Sequence, residues 1–280
     1  MIKLLKIEWM KIKNYNAFIV ISSFFALGVI AANYLAYYFK KNVIDPSDPT
    51  GLISSGSPFG FPNVWQTVSY YSGLMLLLPG LLLLILVTNE FTYRTHRQNI
   101  IDGISRNQFT QVKLLMACIT ALFCTALVFI AALLFGFFVN TDSFSFSGIV
   151  NVGYFFLKAL TYNFIAILIG VLVRRTGFAI AVFFIYTVLE NGISLLLLVW
   201  AINIKKDHNI DLGNMGNYLP MNAADGLLYS PFASFTNMAR KFLPSDYTWL
   251  VLSLALAYLI LFYLWSKVRL FFLSIIQSTV

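Results

Sequence analysis

The sequence predicts an all-α membrane protein with six transmembrane helices and an N-terminal amphipathic helix at the membrane interface. Hydrophobic residues make up 59% of the 280 residues, charged residues only 11%, and the mean hydropathy is +0.80. A soluble domain of this composition would have too few charged residues to cover its surface. Lipid is therefore the expected solvent for most of the chain.

Six apolar runs are long enough to cross a bilayer, which takes roughly 20 helical residues. They lie at about residues 17–39, 67–88, 114–139, 151–173, 178–202 and 246–266. The first run exceeds the apolar core of a signal peptide, roughly 7–15 residues, so we expect it to be retained. No internal repeat divides the chain, and residues 1–280 are predicted to form one membrane domain.

Residues 1–16 are predicted to form the interfacial helix. Ile2, Leu5, Trp9 and Ile12 recur at helical spacing, and most of the lysines lie elsewhere on the helical wheel. This pattern favours a helix lying on the inner membrane surface. The alternative is a basic flank that only sets the topology.

The distribution of Lys and Arg orients the chain. With six crossings, residues 1–16, 89–113, 174–177 and 267–280 share one side, and they hold twelve cations in about 59 residues. The opposite side holds six cations in about 81 residues. The positive-inside rule places both termini in the cytoplasm. The net charge of +8 therefore reflects the orientation of the chain in the membrane, and we expect no nucleic-acid partner.

Two membrane-embedded charges are candidate functional residues. Glu190 falls near the centre of span five and Lys158 lies in span four, where an unpaired charge costs several kcal/mol. One interpretation places Glu190 on a substrate path or at the permease dimer interface. The other has it protonated, or bonded to Asn191, Ser194 or a neighbouring helix. A pair between Lys158 and Glu190 is the specific hypothesis. The alternative is that Lys158 snorkels to the outer surface.

Other segments predict departures from straight helices. Pro79 and Gly80 in span two favour a kink, which is either a hinge or a fixed shape. The outer segment 40–66 is rich in Pro, Gly and Ser and reads as a loop. The outer segment 203–245 contains an apolar stretch too interrupted to cross, and we expect short re-entrant or surface helices there.

The charged stretch from Glu90 to Lys113 lies between spans two and three. Its charges alternate in sign, Gly103 separates two short helical pieces, and Ser105 is placed to cap the second piece. From the charge pattern alone the stretch is either a docking element for a soluble partner or a solvated linker.

This stretch resembles the permease subunits of ABC-2 type transporters. An acidic residue ends span two, and Thr and Arg residues lead to Gly-x-Ser-Arg-x-x-Phe-x-x-x-Lys. The matching positions are Glu90, Arg94, Thr95, Arg97, Gly103, Ser105, Arg106, Phe109 and Lys113. The basic start, the six spans, the short Arg-containing turn after span four and the long outer segment before span six fit the same family.

The resemblance implies an ABC-2 exporter fold and a coupling role for two segments. Residues 90–112, which include Asp102, and residues 174–177, which include Arg174 and Arg175, would fit clefts on ATP-binding subunits. The three arginines of the first segment, Arg94, Arg97 and Arg106, would bind acidic surface or backbone carbonyls, and Glu90 would pair with a cation. Closure of an ATPase dimer would then move the helices attached to these segments.

The chain lacks the residue patterns that ATP binding and His-based metal binding require. The chain has no Gly-x-x-x-x-Gly-Lys-Ser/Thr phosphate loop, so ATP hydrolysis is expected on a separate subunit that binds ATP and Mg²⁺. His96 and His208 lie on opposite sides of the predicted membrane, which leaves no His-based metal site. We therefore expect no catalytic residue, metal or cofactor on this chain.

The sequence thus predicts the permease of an ATP-driven exporter in a bacterial inner membrane. Its expected partners are two ATP-binding subunits, a second permease copy, identical or related, and membrane lipid. The cargo would be amphipathic or hydrophobic and would move by alternating access. One alternative is a non-transporting scaffold or sensor that docks a cytoplasmic partner. A secondary carrier is another, but it would show inverted repeats or paired broken helices.

Overall fold

The computed structural model describes residues 2–44, 58–93, 95, 105–139, 143–231, 245 and 247–276, and all regular structure within them is helical. The α-helices are α1 (Ile2–Ile12), α2 (Asn16–Phe39), α3 (Val64–Gly73), α4 (Leu77–Thr92), α5 (Arg106–Val139), α6 (Val150–Val173), α7 (Thr176–His208), α8 (Asn222–Asp225) and α9 (Thr248–Ile276). Short 3-10 helices cover Leu74–Leu76 and Met215–Tyr218, and a π-helical turn covers Lys40–Ile44.

The six predicted spans are confirmed. Within the described ranges, six helical stretches are long and apolar enough to cross a membrane. Their bounds are Asn16–Asn42, Val64–Thr92, Asn107–Val139, Val150–Val173, Thr176–His208 and Thr248–Leu270.

Helix α6 forms the centre of the bundle and packs against α3, α4, α5, α7 and α9. In its most apolar stretch 72% of the positions are buried, against 17% for the stretches in α2, α7 and α9. Gly170 allows α6 to approach α4, because an added Cβ would lie 3.4 Å from Val87 Cγ1. The outer helices consequently keep broad apolar faces free for lipid or for another protein.

The second span is interrupted one turn before the predicted position. Its α-helical hydrogen bonding gives way to a 3-10 turn at Leu74–Leu76, and Pro79 sits in the first turn of α4. Proline removes the amide that would bond the carbonyl four residues earlier and clashes with that carbonyl, which here belongs to Met75. Pro79 thus explains an irregularity that appears in the preceding turn.

Helix α5 begins in the polar segment rather than at the membrane. The helix starts at Arg106, eight residues before the predicted span. Ser105 and Gln108 cap it reciprocally: Gln108 N donates to Ser105 Oγ at 3.3 Å, and Ser105 N donates to Gln108 Oε1 at 3.1 Å. This capping box satisfies amides that the helix itself leaves unbonded, which confirms the predicted cap.

The two ends of the bundle are built differently. We call the end that holds α1 the proximal end, together with the end of α4, the start of α5 and the α6–α7 turn. The distal end holds residues 58–66, 143–149 and 211–228. At the distal end Trp65 is fully buried, stacks on Phe129 at 5.5 Å between ring centroids, and donates its indole N–H to Ser145 O at 2.9 Å.

The distal segment from Met215 to Leu228 folds back into the bundle. It forms the 3-10 turn and α8, and Met221, Ala223, Ala224, Leu227 and Leu228 are buried. Tyr258 of α9 donates to Tyr218 O at 3.0 Å and fixes it from one side. The short helices predicted within 203–245 are confirmed for this part of the chain. We call residues 215–228 the re-entrant segment.

Candidate functional site

A buried ionic cluster joins three helices at the proximal end. Lys113 Nζ of α5 lies 2.8 Å from Glu8 Oε2 of α1 and 2.6 Å from Glu90 Oε1 of α4. All three residues are buried, with 5–8% of their surface exposed. Lys11 adds a second cation, 3.3 Å from Glu8 and 3.8 Å from Glu90. We call Glu8, Lys11, Glu90 and Lys113 the proximal cluster.

The cluster is electrically balanced, with two carboxylates and two ammonium groups. Burial by itself would raise the pKa of Glu8, but the charges and hydrogen bonds of Lys113 and Lys11 bring this pKa below its ordinary value. Glu8 is therefore ionised at neutral pH. Because a buried charge that loses its partner is costly, the three helices are held together as one unit.

A neighbouring chain of hydrogen bonds extends this unit to the α6–α7 turn. Asn89 donates its side-chain N–H to the Tyr15 hydroxyl at 3.0 Å and accepts from the Thr176 hydroxyl at 3.4 Å. Tyr15 follows α1, Asn89 lies next to Glu90, and Thr176 begins α7. Both predicted coupling segments are thus attached to the same end of α4.

The predicted coupling residues fall into three groups. Glu90 pairs with a cation as expected, and Ser105 caps α5. Arg174 and Arg175 are exposed in the two-residue turn between α6 and α7, where Arg174 takes a left-handed backbone with φ 59°. The others, Arg94, Arg97, Asp102 and Gly103, lie outside the described residues, and of Arg106 only the helical backbone is described.

Lys158 has a different partner from the one predicted. Its Nζ lies 3.2 Å from Asp225 Oδ1 of the re-entrant segment, and Tyr162 donates to Asp225 Oδ2 at 3.0 Å. Lys158 is buried, at 6% exposure, so it does not snorkel to the outer surface. The predicted pair between Lys158 and Glu190 is wrong because the re-entrant segment brings its own carboxylate to the lysine. Gly73 provides the space, since an added Cβ would lie 2.9 Å from Lys158 Nζ.

Glu190 binds the start of α8 instead. The backbone N–H groups of Met221 and Asn222 both donate to Glu190 Oε1, the second at 2.9 Å. These amides have no intrahelical acceptor, so a carboxylate at this position satisfies them and meets the positive end of the helix. Asn191, proposed as a partner, donates to Thr187 O at 2.8 Å. Glu190 is therefore bonded to a neighbouring element.

The two membrane-embedded charges hold opposite ends of one short helix. Glu190 from α7 binds the first residues of α8, and Lys158 from α6 pairs with Asp225, its last residue. We call Lys158, Tyr162, Glu190 and Asp225 the distal cluster, which fixes the re-entrant segment inside the bundle.

In the predicted hinge pair, Gly80 lies where three helices pack closely. A Cβ added to Gly80 would lie 3.1 Å from Phe183 Cζ of α7 and 3.7 Å from the Ala166 Cβ of α6. Three helices therefore meet closely at Gly80. Pro79 stands next to it and shapes the turn before α4.

The sequence reasoning missed two carboxylates of these clusters, Glu8 and Asp225. Glu8 is the only acidic residue in the first 44, and Asp225 is the only one between residues 212 and 231. A single acidic residue in a basic or apolar stretch indicates an ion pair, because burying its charge without a partner is costly. The partner itself lies more than 60 residues away in the distal case, beyond the reach of local spacing.

Six apolar spans, a basic helix anchored at one end and a charged segment between spans two and three define a membrane transport component. The chain belongs to the ABC-2 family: the sequence model described as "ABC-2 family transporter protein" matches residues 4–190, which covers the proximal cluster and ends at Glu190. No curated protein matches the chain. It is thus the membrane component of an ABC-2 family transporter, a class that works with an ATP-binding partner and typically lacks an ATPase domain of its own.

Proposed function

We propose that the chain is the permease of an ATP-driven exporter, working with a second permease copy, identical or related, and two copies of a separate ATP-binding subunit. Residues 90–112 and 174–177 are the proposed docking elements. ATP and Mg²⁺ would bind the partner subunit, and the chain itself would convert movement of that partner into movement of its helices.

The proximal cluster is the observation that carries this proposal. Glu90 and Lys113 flank the first docking element and contact each other at 2.6 Å. Two residues of α1 hold this pair: Glu8 contacts Lys113 at 2.8 Å, and Lys11 lies 3.8 Å from Glu90. Movement of this docking element is therefore transmitted to α1, α4 and α5 together. Asn89 extends the connection to the start of α7. A solvated linker would have no need of buried ion pairs at its two ends.

The proposed placement in a bacterial inner membrane has both termini in the cytoplasm. The excess of Lys and Arg at the proximal end supports this orientation. Arg174 and Arg175 are exposed at that end, where a soluble ATPase could reach them.

Helix α7 offers a face for the second permease copy. Ile185, Val188, Leu189 and Leu196 share one side of the helix and are 57–72% exposed. The face is apolar throughout, which also suits an amphipathic or hydrophobic cargo moving between two permease copies. Glu190 lies on the same helix but turns inward to α8.

The deciding experiment is purification of the tagged chain from its native host in mild detergent, followed by an ATPase assay of the complex. We expect a phosphate-loop ATPase to co-purify and to be lost with Arg106→Glu. Arg269→Glu is the matched control, because it reverses an exposed arginine at the same end in α9, outside both docking elements. The control should retain the ATPase.

Three results would contradict the proposal. An intact complex without any ATPase would favour the scaffold or sensor. Equal loss with Arg106→Glu and Arg269→Glu would show a general charge effect instead of a docking site. Efflux of cargo from vesicles driven by an ion gradient without ATP would favour a secondary carrier.

A further inference from the structure

An apolar groove runs up the proximal half of the bundle between α1, α2, α4 and α5. It consists of two adjoining cavities of about 440 Å³ and 330 Å³. Both are lined by Trp9, Phe18, Leu82, Ile119 and Thr120, so they form one continuous space. The volumes are in the range of sites that hold small molecules.

The shape of the groove fits a single extended chain. Along α5 its wall runs from Met116 to Cys124, which is about 12 Å at 1.5 Å per residue. Trp9 and Phe18 meet edge to face with ring centroids 5.8 Å apart and stand beside both cavities. The space lies next to spans that face lipid, so a lipid tail can enter it from the side.

One end of the groove is polar and carries a lysine. Lys6 and Glu8 line the cavity on the α1 side. Glu8 is already neutralised by Lys113 at 2.8 Å and Lys11 at 3.3 Å. Lys6 is exposed and makes no ion pair within the part of the chain that the structure describes. The net charge offered to a ligand at this end is therefore positive.

We propose that the groove binds one anionic glycerophospholipid of the proximal leaflet. One acyl chain lies along the wall formed by α4 and α5, and the phosphate meets Lys6 at the level of α1. An apolar peptide is a poorer occupant, because its backbone amides would find no acceptors in a wall this apolar. Phosphatidylcholine also offers a phosphate, but its choline cation cancels the headgroup charge, so its attraction to Lys6 is weaker than that of an anionic lipid.

The bound lipid would complete the packing of α1 against the bundle. Helix α1 reaches the bundle mainly through Glu8 and Ile12, which are buried, whereas Trp9 is 56% exposed beside the groove. A lipid tail under Trp9 fills the gap between α1 and the spans. This site is independent of any ATPase, so its test does not depend on the proposed transport.

The test uses purified full-length protein, delipidated in detergent and supplied with phosphatidylglycerol, phosphatidylcholine or inorganic phosphate. Native mass spectrometry counts bound lipid, and thermal unfolding reports its effect. We expect one tightly retained phosphatidylglycerol and a raised unfolding midpoint. Lys6→Gln should weaken its binding about fivefold, as expected for one lysine at an anionic headgroup.

Lys13→Gln is the matched control, since Lys13 is exposed near the same membrane surface but does not line the groove. It should leave binding unchanged. Thr120→Phe fills the groove from a wall shared by both cavities and should abolish retention of the lipid. The proposal is overturned if phosphatidylcholine binds as well, if phosphate alone stabilises the protein equally, or if Lys6→Gln and Lys13→Gln behave alike.

Discussion

Replacing Lys113 by Met should destabilise the proximal end by about 3 kcal/mol. The change leaves the Glu8 and Glu90 carboxylates buried without the ammonium that touches both, and removing one member of a buried ion pair costs roughly 3–5 kcal/mol. Lys11 stays within 3.8 Å of both, but its side chain is 40% exposed, so it offsets only part of the loss. We therefore expect the lower end of the range.

The measurement is unfolding in mixed micelles titrated with SDS, read by the intrinsic fluorescence of the five tryptophans, of which Trp9 lies in α1. A triple variant with Glu8→Gln, Glu90→Gln and Lys113→Met leaves no buried charge without a partner, because the remaining cation, Lys11, has a side chain that is 40% exposed. This variant should recover about half of the loss. Lys267→Met, at the same end in α9, is the control and should change stability by less than about 0.5 kcal/mol. A loss below about 1 kcal/mol for Lys113→Met, or no recovery in the triple variant, would refute the reasoning.

Three further predictions concern the distal cluster, the cap of α5 and Glu8 of the proximal cluster. A double-mutant cycle with Lys158→Met and Asp225→Asn should give a coupling of about 2 kcal/mol, whereas Lys158→Met and Glu190→Gln should be additive within about 0.5 kcal/mol; the reverse pattern would restore the original pairing. Ser105→Ala should cost about 1 kcal/mol of capping and speed hydrogen exchange of the first α5 amides about fivefold, with no change in the distal half. Because its folded-state pKa lies below 4.5, Glu8 stabilises the protein above about pH 4.5, and this stabilisation is lost as the pH falls through the folded pKa. The midpoint of wild-type unfolding should consequently fall more steeply on acidification than that of Glu8→Gln.

The sequence predicts the spans well because each is a local property. An apolar run of roughly 20 residues must cross or be buried whatever its neighbours are, and the six runs appear as the six helices. The cap at Ser105 is equally local, since both partners lie within three residues. Even the irregularity in span two follows from Pro79, although its effect falls on the preceding turn.

The pairing of charges could not be predicted in the same way. Glu190 and Lys158 were recognised as costly, yet their partners depend on where the re-entrant segment returns. A short helix that fits between α6 and α7 presents both a free amide end and a carboxylate, so it satisfies the two charges separately. Their direct pairing would have left the buried α8 amides without an acceptor and Asp225 with Tyr162 alone.

The two clusters also indicate which parts of the protein can move. Each attaches a helix that does not cross the membrane, α1 or α8, to two crossing helices through contacts that are expensive to break. Motion between transport states is therefore more easily accommodated where packing is apolar and close, as at Gly80 and Gly170, since sliding there exposes no charge. The clusters therefore move as rigid units between transport states. A mutation that widens the contact at Gly80 should disturb transport more than docking of the ATPase.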